Sequence, residues 1–261
     1  MARHIPGPLY YEQFGKTGVP MVFLHSTPDD HRLWLFQTAH FSNWYRCLAV
    51  DLAGYGRSPA PQEGVSIADQ AAAVWELVDR ITSGAVILQG NSMGSEVAMH
   101  MAEQQPKRTL CMILSGCGYL PDIRETQLKG KEAYRAEGIA RRRNAVLFHF
   151  PPRLRETVLV QHYADMVCAL NNAGTLESIV LMNEALAQAK PDFYPRLDVP
   201  TLIISGSEDF TRASAYKLQG FIKNSEIVSL DGAGHACCFE APWEFDRICI
   251  DYLKKRGLFP G

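Results

Sequence analysis

A chain of 261 residues with 47% hydrophobic and 10% aromatic content can bury a large core, and it fits one domain carrying an insertion better than two equal halves. Its formal net charge of −2 argues against nucleic acid or an anionic membrane surface as a partner. The first residues, Met1 to Pro6, lack the apolar centre of a signal peptide and no apolar run approaches the roughly 20 residues that cross a bilayer; with seven cysteines in neither C-x-x-C nor zinc-ligand spacing, a cytoplasmic protein with reduced thiols is expected.

In chain order, Leu9 to Phe14 is strand-like and Gly15 to Gly18 a turn. Val19 to Leu24 is a short apolar run that ends at His25-Ser26-Thr27-Pro28, the pattern of a buried central strand with a loop at its carboxyl end. Residues 31–41 carry Leu33, Trp34, Phe36 and Phe41 at spacings that suit one helical face. Cys47 to Val50 is a further strand, running into the tight loop Asp51-Leu52-Ala53-Gly54-Tyr55-Gly56-Arg57-Ser58-Pro59. Ser66, with Asp69 three residues on, opens a helix that extends to Ile81. Val86 to Gln89 is apolar enough for a strand, Val97 to Gln105 is helix-forming, and Leu110 to Ser115 is another buried strand.

From Gly116 to about Leu197 the alternation stops, and helix-forming stretches Glu125–Arg143, Pro152–Leu170 and Thr175–Ala189 follow one another with no clear strand. Strands then resume at Val199–Ser205 and Glu226–Leu230, with helices over 213–222 and Trp243–Arg256. Alternating strands and helices imply an α/β fold: a doubly wound, mainly parallel sheet with helices on both faces. The core is assigned to residues 1–117 and 198–261, and residues 118–197 to an inserted helical cap over the carboxyl ends of the strands.

The chemistry centres on Gly90-Asn91-Ser92-Met93-Gly94, a G-x-S-x-G between a strand and a helix. A strand-to-helix turn this tight strains its central residue and crowds its neighbours, so glycines at 90 and 94 supply the missing Cβ atoms. The serine hydroxyl is then presented above a helix N-terminus. A serine needs a base, and the base an orienting acid. Ser205-Gly206-Ser207-Glu208-Asp209 sets carboxylates just beyond one strand, and Asp231-Gly232-Ala233-Gly234-His235 an imidazole beyond the next. Glu208 and Asp231 remain alternatives to Asp209 as the acid.

These motifs, in this order, resemble the α/β-hydrolase superfamily, and the likeness runs from His25-Ser26-Thr27-Pro28 through the Asp51–Ser58 loop to Gly234-His235. The resemblance implies Ser92 as nucleophile, His235 as base, Asp209 as the acid, and an oxyanion hole from the N–H groups of Met93 and Thr27, with Ser26 standing where the family usually has glycine and offering a further donor. It also implies that no cofactor or metal is required, only water and a small-molecule substrate. Relatives that dehalogenate or open epoxides carry aspartate at the elbow, so Ser92 points to attack on a carbonyl: most simply a carboxylic ester, otherwise a lactone or a carbon-carbon bond beside a ketone. The elbow is similar to that of hydrolases of aromatic ring-fission products. A hydrolase-fold receptor with little turnover is the alternative of another class. Candidate substrate contacts are His25 and Asp30 on the first loop, and Arg142 and His149 in the cap, where a guanidinium could clamp a carboxylate.

Overall fold

Runs of Val, Ile and Leu bounded by turn residues form strands that are buried on both faces and so show no polar alternation. The computed structural model describes residues 4–170 and 174–260; Met1 to Arg3, in the N-terminal stretch considered above, lie outside the described residues. Its strands are β1 (Tyr11–Phe14), β2 (Pro20–Leu24), β3 (Arg46–Val50), β4 (Val86–Asn91), β5 (Thr109–Ser115), β6 (Thr201–Gly206) and β7 (Ser225–Leu230). They form one sheet in the order β1-β3-β2-β4-β5-β6-β7. β1 pairs antiparallel with β3 and all other pairings are parallel. β2, β4 and β6 are buried along their whole length, while the edge strands β1 and β7 are partly exposed.

The helices preceding β5 are α1 (Leu35–Phe41), α2 (Ile67–Asp79) and α3 (Met93–Gln104). α2 opens with the expected box: Ser66 Oγ accepts the Asp69 N–H at 3.1 Å and the Asp69 carboxylate accepts the Ser66 N–H at 3.0 Å. Between β5 and β6 lie α4 (Leu120–Glu137), α5 (Arg141–Phe148), α6 (Pro152–Arg155), α7 (Val158–Cys168) and α8 (Thr175–Gln188), with no strand among the described residues. α9 (Arg212–Gln219), α10 (Cys237–Glu240) and α11 (Pro242–Lys255) complete the chain. Successive residues of β2 feed opposite cores: Val22 and Leu24 join the side packed by α2 and α3, Met21 and Phe23 the side packed by Trp34 and Phe245.

Two expected helices are divided. The Glu125–Arg143 stretch breaks at Gly138, whose φ of 69° closes α4 before a short 3-10 turn leads into α5. Pro152–Leu170 breaks before Thr157, an extended residue whose side chain caps α7. The expectation for residues 31–41 is also modified, since a 3-10 turn over His31–Trp34 precedes α1. All seven cysteines are free and six are buried. Among the described residues no helix is long and apolar enough to cross a membrane.

β3 lies on one side of β2 and β4 on the other, so the winding direction reverses between them. Loops leaving the carboxyl ends of β2 and β4, aligned at Leu24 and Gly90, diverge and leave a crevice there.

Candidate active site

β4 ends at Asn91 and α3 begins at Met93, which leaves Ser92 alone to make the reversal. Its φ of 53° and ψ of −116° lie outside the regions a side chain favours, at a cost of about 1–3 kcal/mol. The surroundings impose that conformation. Ser92 N–H donates to the Ser115 carbonyl at 2.8 Å, and Asn91 Nδ2 donates to Ser115 Oγ at 3.0 Å and to the His235 carbonyl at 3.1 Å. A methyl at Gly90 would run into the Gly94 carbonyl, and one at Gly94 into the Leu24 carbonyl of β2. The glycines therefore serve close approach of helix to strand.

Asp209 follows β6 and His235 follows β7. His235 Nδ1 lies 2.9 Å from Asp209 Oδ1. Thr211 adds an N–H at 2.8 Å and a hydroxyl at 2.9 Å to the same carboxylate. Burial pushes Asp209 upward, but the charge and hydrogen bond of His235 and the Thr211 donors outweigh it and hold the carboxyl below its usual range. An ionised carboxylate only accepts, so His235 Nδ1 carries a proton and the Nε2 lone pair of the neutral ring is left over. The Phe210 ring stacks on His235 at 4.4 Å between centroids. Glu208 instead pairs with Arg153 at 3.0 Å near the surface, and exposed Asp231 accepts from Ser207 Oγ at 3.3 Å.

Ser92, Met93, Thr27 and His235 line one cavity of about 990 Å³. Neither the Met93 nor the Thr27 N–H has a hydrogen-bond partner among the described residues, and both residues line the cavity with Ser92. Chemically the arrangement offers a hydroxyl, an imidazole lone pair and two N–H donors around one space.

A sequence model of the alpha/beta hydrolase fold family matches residues 19–242. The chain belongs to the α/β-hydrolase fold family. This α/β hydrolase is 27% identical over 259 residues to the AB hydrolase superfamily protein YisY of Bacillus subtilis, covering 94% of either chain. It is 24% identical over 253 residues to the dihydrolipoyllysine-residue acetyltransferase component of the acetoin cleaving system of Pseudomonas putida; that match takes in 94% of this chain but 66% of the longer relative. Its fold is similar to that of the enol-lactonase of Burkholderia xenovorans, with a TM-score of 0.84 at 24% identity over 96% of this chain and 98% of the other.

Five of the residues expected at the site of this α/β hydrolase do not line its cavity: Asp209, which touches it through His235, and four others. Ser26 is buried and its hydroxyl donates to the Asp29 carboxylate, so it is not a third oxyanion donor. His25 is fully buried, with Nδ1 2.8 Å from the Ser26 carbonyl and Nε2 accepting the Leu52 N–H at 3.0 Å. Burial lowers its pKa, and the ring ties two loops together instead of meeting substrate. Asp30 caps the 3-10 turn and holds the Arg32 guanidinium with both oxygens, at 2.8 and 2.6 Å. Arg142 is buried with Nε on the Pro28 carbonyl at 3.0 Å, a brace between α5 and the loop after β2. Asp30, His31 and Asp51 cluster closely enough to suggest metal ligation, yet Asp51 already accepts from the ring and N–H of His31 at 2.7 and 2.9 Å and from Arg57 N–H at 2.8 Å.

His149 does line the cavity. Its carbonyl accepts the N–H groups of His235 and Ala236 at 3.0 and 3.3 Å. The sequence left two contributors unrecognised. Asn91 holds the His235 loop against the elbow, and Asp29 receives Ser26, Tyr163 and His149. The polar run Asp29-Asp30-His31 directly after Pro28 is a sequence signal for the latter.

Proposed function

We propose that this α/β hydrolase cleaves carboxylic esters of small molecules through an acyl-enzyme on Ser92. The proposal rests on one observation above all: a strained serine and an imidazole oriented by an ionised carboxylate share a cavity with two unpaired N–H donors. Ser92 Oγ attacks the ester carbonyl carbon while His235 Nε2 takes its proton. The carbonyl oxygen gains the charge and is met by the N–H groups of Met93 and Thr27. The tetrahedral intermediate collapses, the C–O bond to the alcohol breaks, and His235 returns the proton to the departing oxygen. Water repeats the sequence on the acyl-enzyme and releases the acid. Asp209 holds the ring in the required tautomer and stabilises its cation. The helices of residues 118–197 act as a cap that keeps bulk water from the acyl-enzyme.

The test is hydrolysis of nitrophenyl esters from acetate to octanoate by the protein and by Ser92→Ala. Turnover that falls about 1,000-fold or more in the variant is the expected result. Absence of ester turnover, with hydrolysis of an enol lactone or a β-diketone, would replace the ester by one of those substrates.

A further inference from the structure

The imidazole of a second carboxylate-imidazole pair lines the same cavity as that of the first. His149, at the C-terminal end of α5, sets its Nδ1 3.2 Å from Asp29 Oδ2, and its ring centroid is 4.8 Å from that of His235. Asp29 is buried in the loop after β2. Burial alone would raise it, but His149 and the hydroxyls of Ser26 and Tyr163, the last at 2.9 Å, outweigh that and keep the carboxyl below its ordinary range. An ionised carboxylate only accepts, so Nδ1 of His149 carries a proton, and in the neutral ring Nε2 is a hydrogen-bond acceptor. No described residue donates to it. The contrast with His25 is direct: that ring spends both nitrogens, one on its own loop and one on the loop after β3, whereas His149 spends one and sits in the cavity wall beside His235.

We propose that the Asp29–His149 pair reads the substrate: His149 Nε2 accepts a hydrogen bond from an O–H or amide N–H on the carbon next to the scissile carbonyl. This rests on the ester-hydrolase reading of Ser92 and His235. A carbonyl carbon attacked by Ser92 must lie within reach of His235, and with the two imidazoles 4.8 Å apart on one cavity wall a substituent on the adjacent carbon is within reach of His149. The negative charge of Asp29 at Nδ1 strengthens Nε2 as an acceptor. An ester lacking the donor leaves that buried lone pair unmet and loses affinity in the transition state. The substrate class is therefore 2-hydroxy or 2-amido esters and lactones.

The experiment compares methyl 2-hydroxybutanoate with methyl butanoate by pH-stat at pH 8, in the protein and in His149→Phe and His149→Gln. The readout is the ratio of kcat/KM for the two esters within each protein, which cancels any general loss of fold. The wild-type ratio should exceed that of His149→Phe by about tenfold or more. His149→Gln, able to donate to Asp29 and accept from substrate, should fall between. Should His149→Phe not fold, inhibition of the wild type by the two product acids decides, with 2-hydroxybutanoate expected to bind about tenfold more tightly than butanoate. Equal ratios in wild type and His149→Phe, or equal inhibition, would overturn the proposal while leaving the ester reading intact. Turnover of neither ester by the wild type overturns both.

Discussion

Asp209 and Glu208 are adjacent in sequence and differ in everything that matters to an imidazole. Asp209 is buried, fed by three donors and 2.9 Å from His235; Glu208 lies at the surface beside Arg153. On the proposed ester hydrolysis, Asp209→Asn should lower kcat about 10,000-fold, the size of effect a mis-set tautomer produces in a Ser-His-Asp triad, while Glu208→Gln should stay within about twofold; parallel ester assays on both variants check this. Glu240 supplies a pH signature. Burial raises its carboxyl to about 7, against the Gly234 N–H that it accepts at 2.7 Å and the charge of His235. The folded state therefore binds this proton more tightly than the unfolded chain, and stability is lost as pH rises from about 4.5 to about 7. Glu240→Gln, still able to accept from Gly234, should gain about 1–3 kcal/mol on the wild type between pH 5 and pH 8 in urea unfolding. At this scale the sequence was legible where a residue's role is set by its chain neighbours. Ser92 and its glycines satisfy a local steric need, and His235 lies just past a strand end. Asp29 was not legible, because its partners His149 and Tyr163 arrive from far along the chain. For the same reason His25, a polar residue on the loop after β2, reads as a substrate contact when its Nε2 accepts from Leu52; Asp30 reads so although its partner Arg32 is only two residues away.

Among the elements, the contact of α3 with β2 is the tightest in the site. A Cβ at Gly94 meets backbone, the Leu24 carbonyl, which no rotamer change can relieve. Gly94→Ala should cost about 1–3 kcal/mol or more and displace the Met93 N–H; a lowered urea midpoint with a larger fall in kcat than in substrate affinity is the expected outcome. The second element-scale joint is α5 against the loop after β2, where Arg142 donates to the Pro28 carbonyl. Arg142→Met keeps much of the volume and removes the donor, so a loss of about 1–3 kcal/mol is expected in the same assay. The strands and the helices α2, α3 and α11 were readable from apolar runs, the Ser66–Asp69 box and periodicity. The divisions inside the insertion were not, because a left-handed glycine at 138 and a cap at Thr157 interrupt stretches whose composition is helical throughout.

Across the whole molecule, the buried carboxylates Asp29, Asp51 and Asp209 are each held below their ordinary range by donors that outweigh burial. Depressed folded values contribute stability that is complete above about pH 4 and disappears as pH falls through them, so acid unfolding should be cooperative and Asp51→Asn should reduce its steepness; a urea midpoint series below pH 5 reads this. His25, buried with a lowered value, adds in the same direction on the acid side of about pH 6.5. The carbonyl of His149 has a longer reach than its ring. It occupies the N–H groups of His235 and Ala236, while α5 and α7 also cover the Pro28 carbonyl and Asp29. The helical insertion is thus not an exchangeable module on a self-sufficient core. A chimaera carrying another protein's helices here must bring a carbonyl to the same spot, or inherit a histidine loop with two orphaned donors and a first loop left with the contacts of His25 and Thr27 to the Asp51–Pro59 loop.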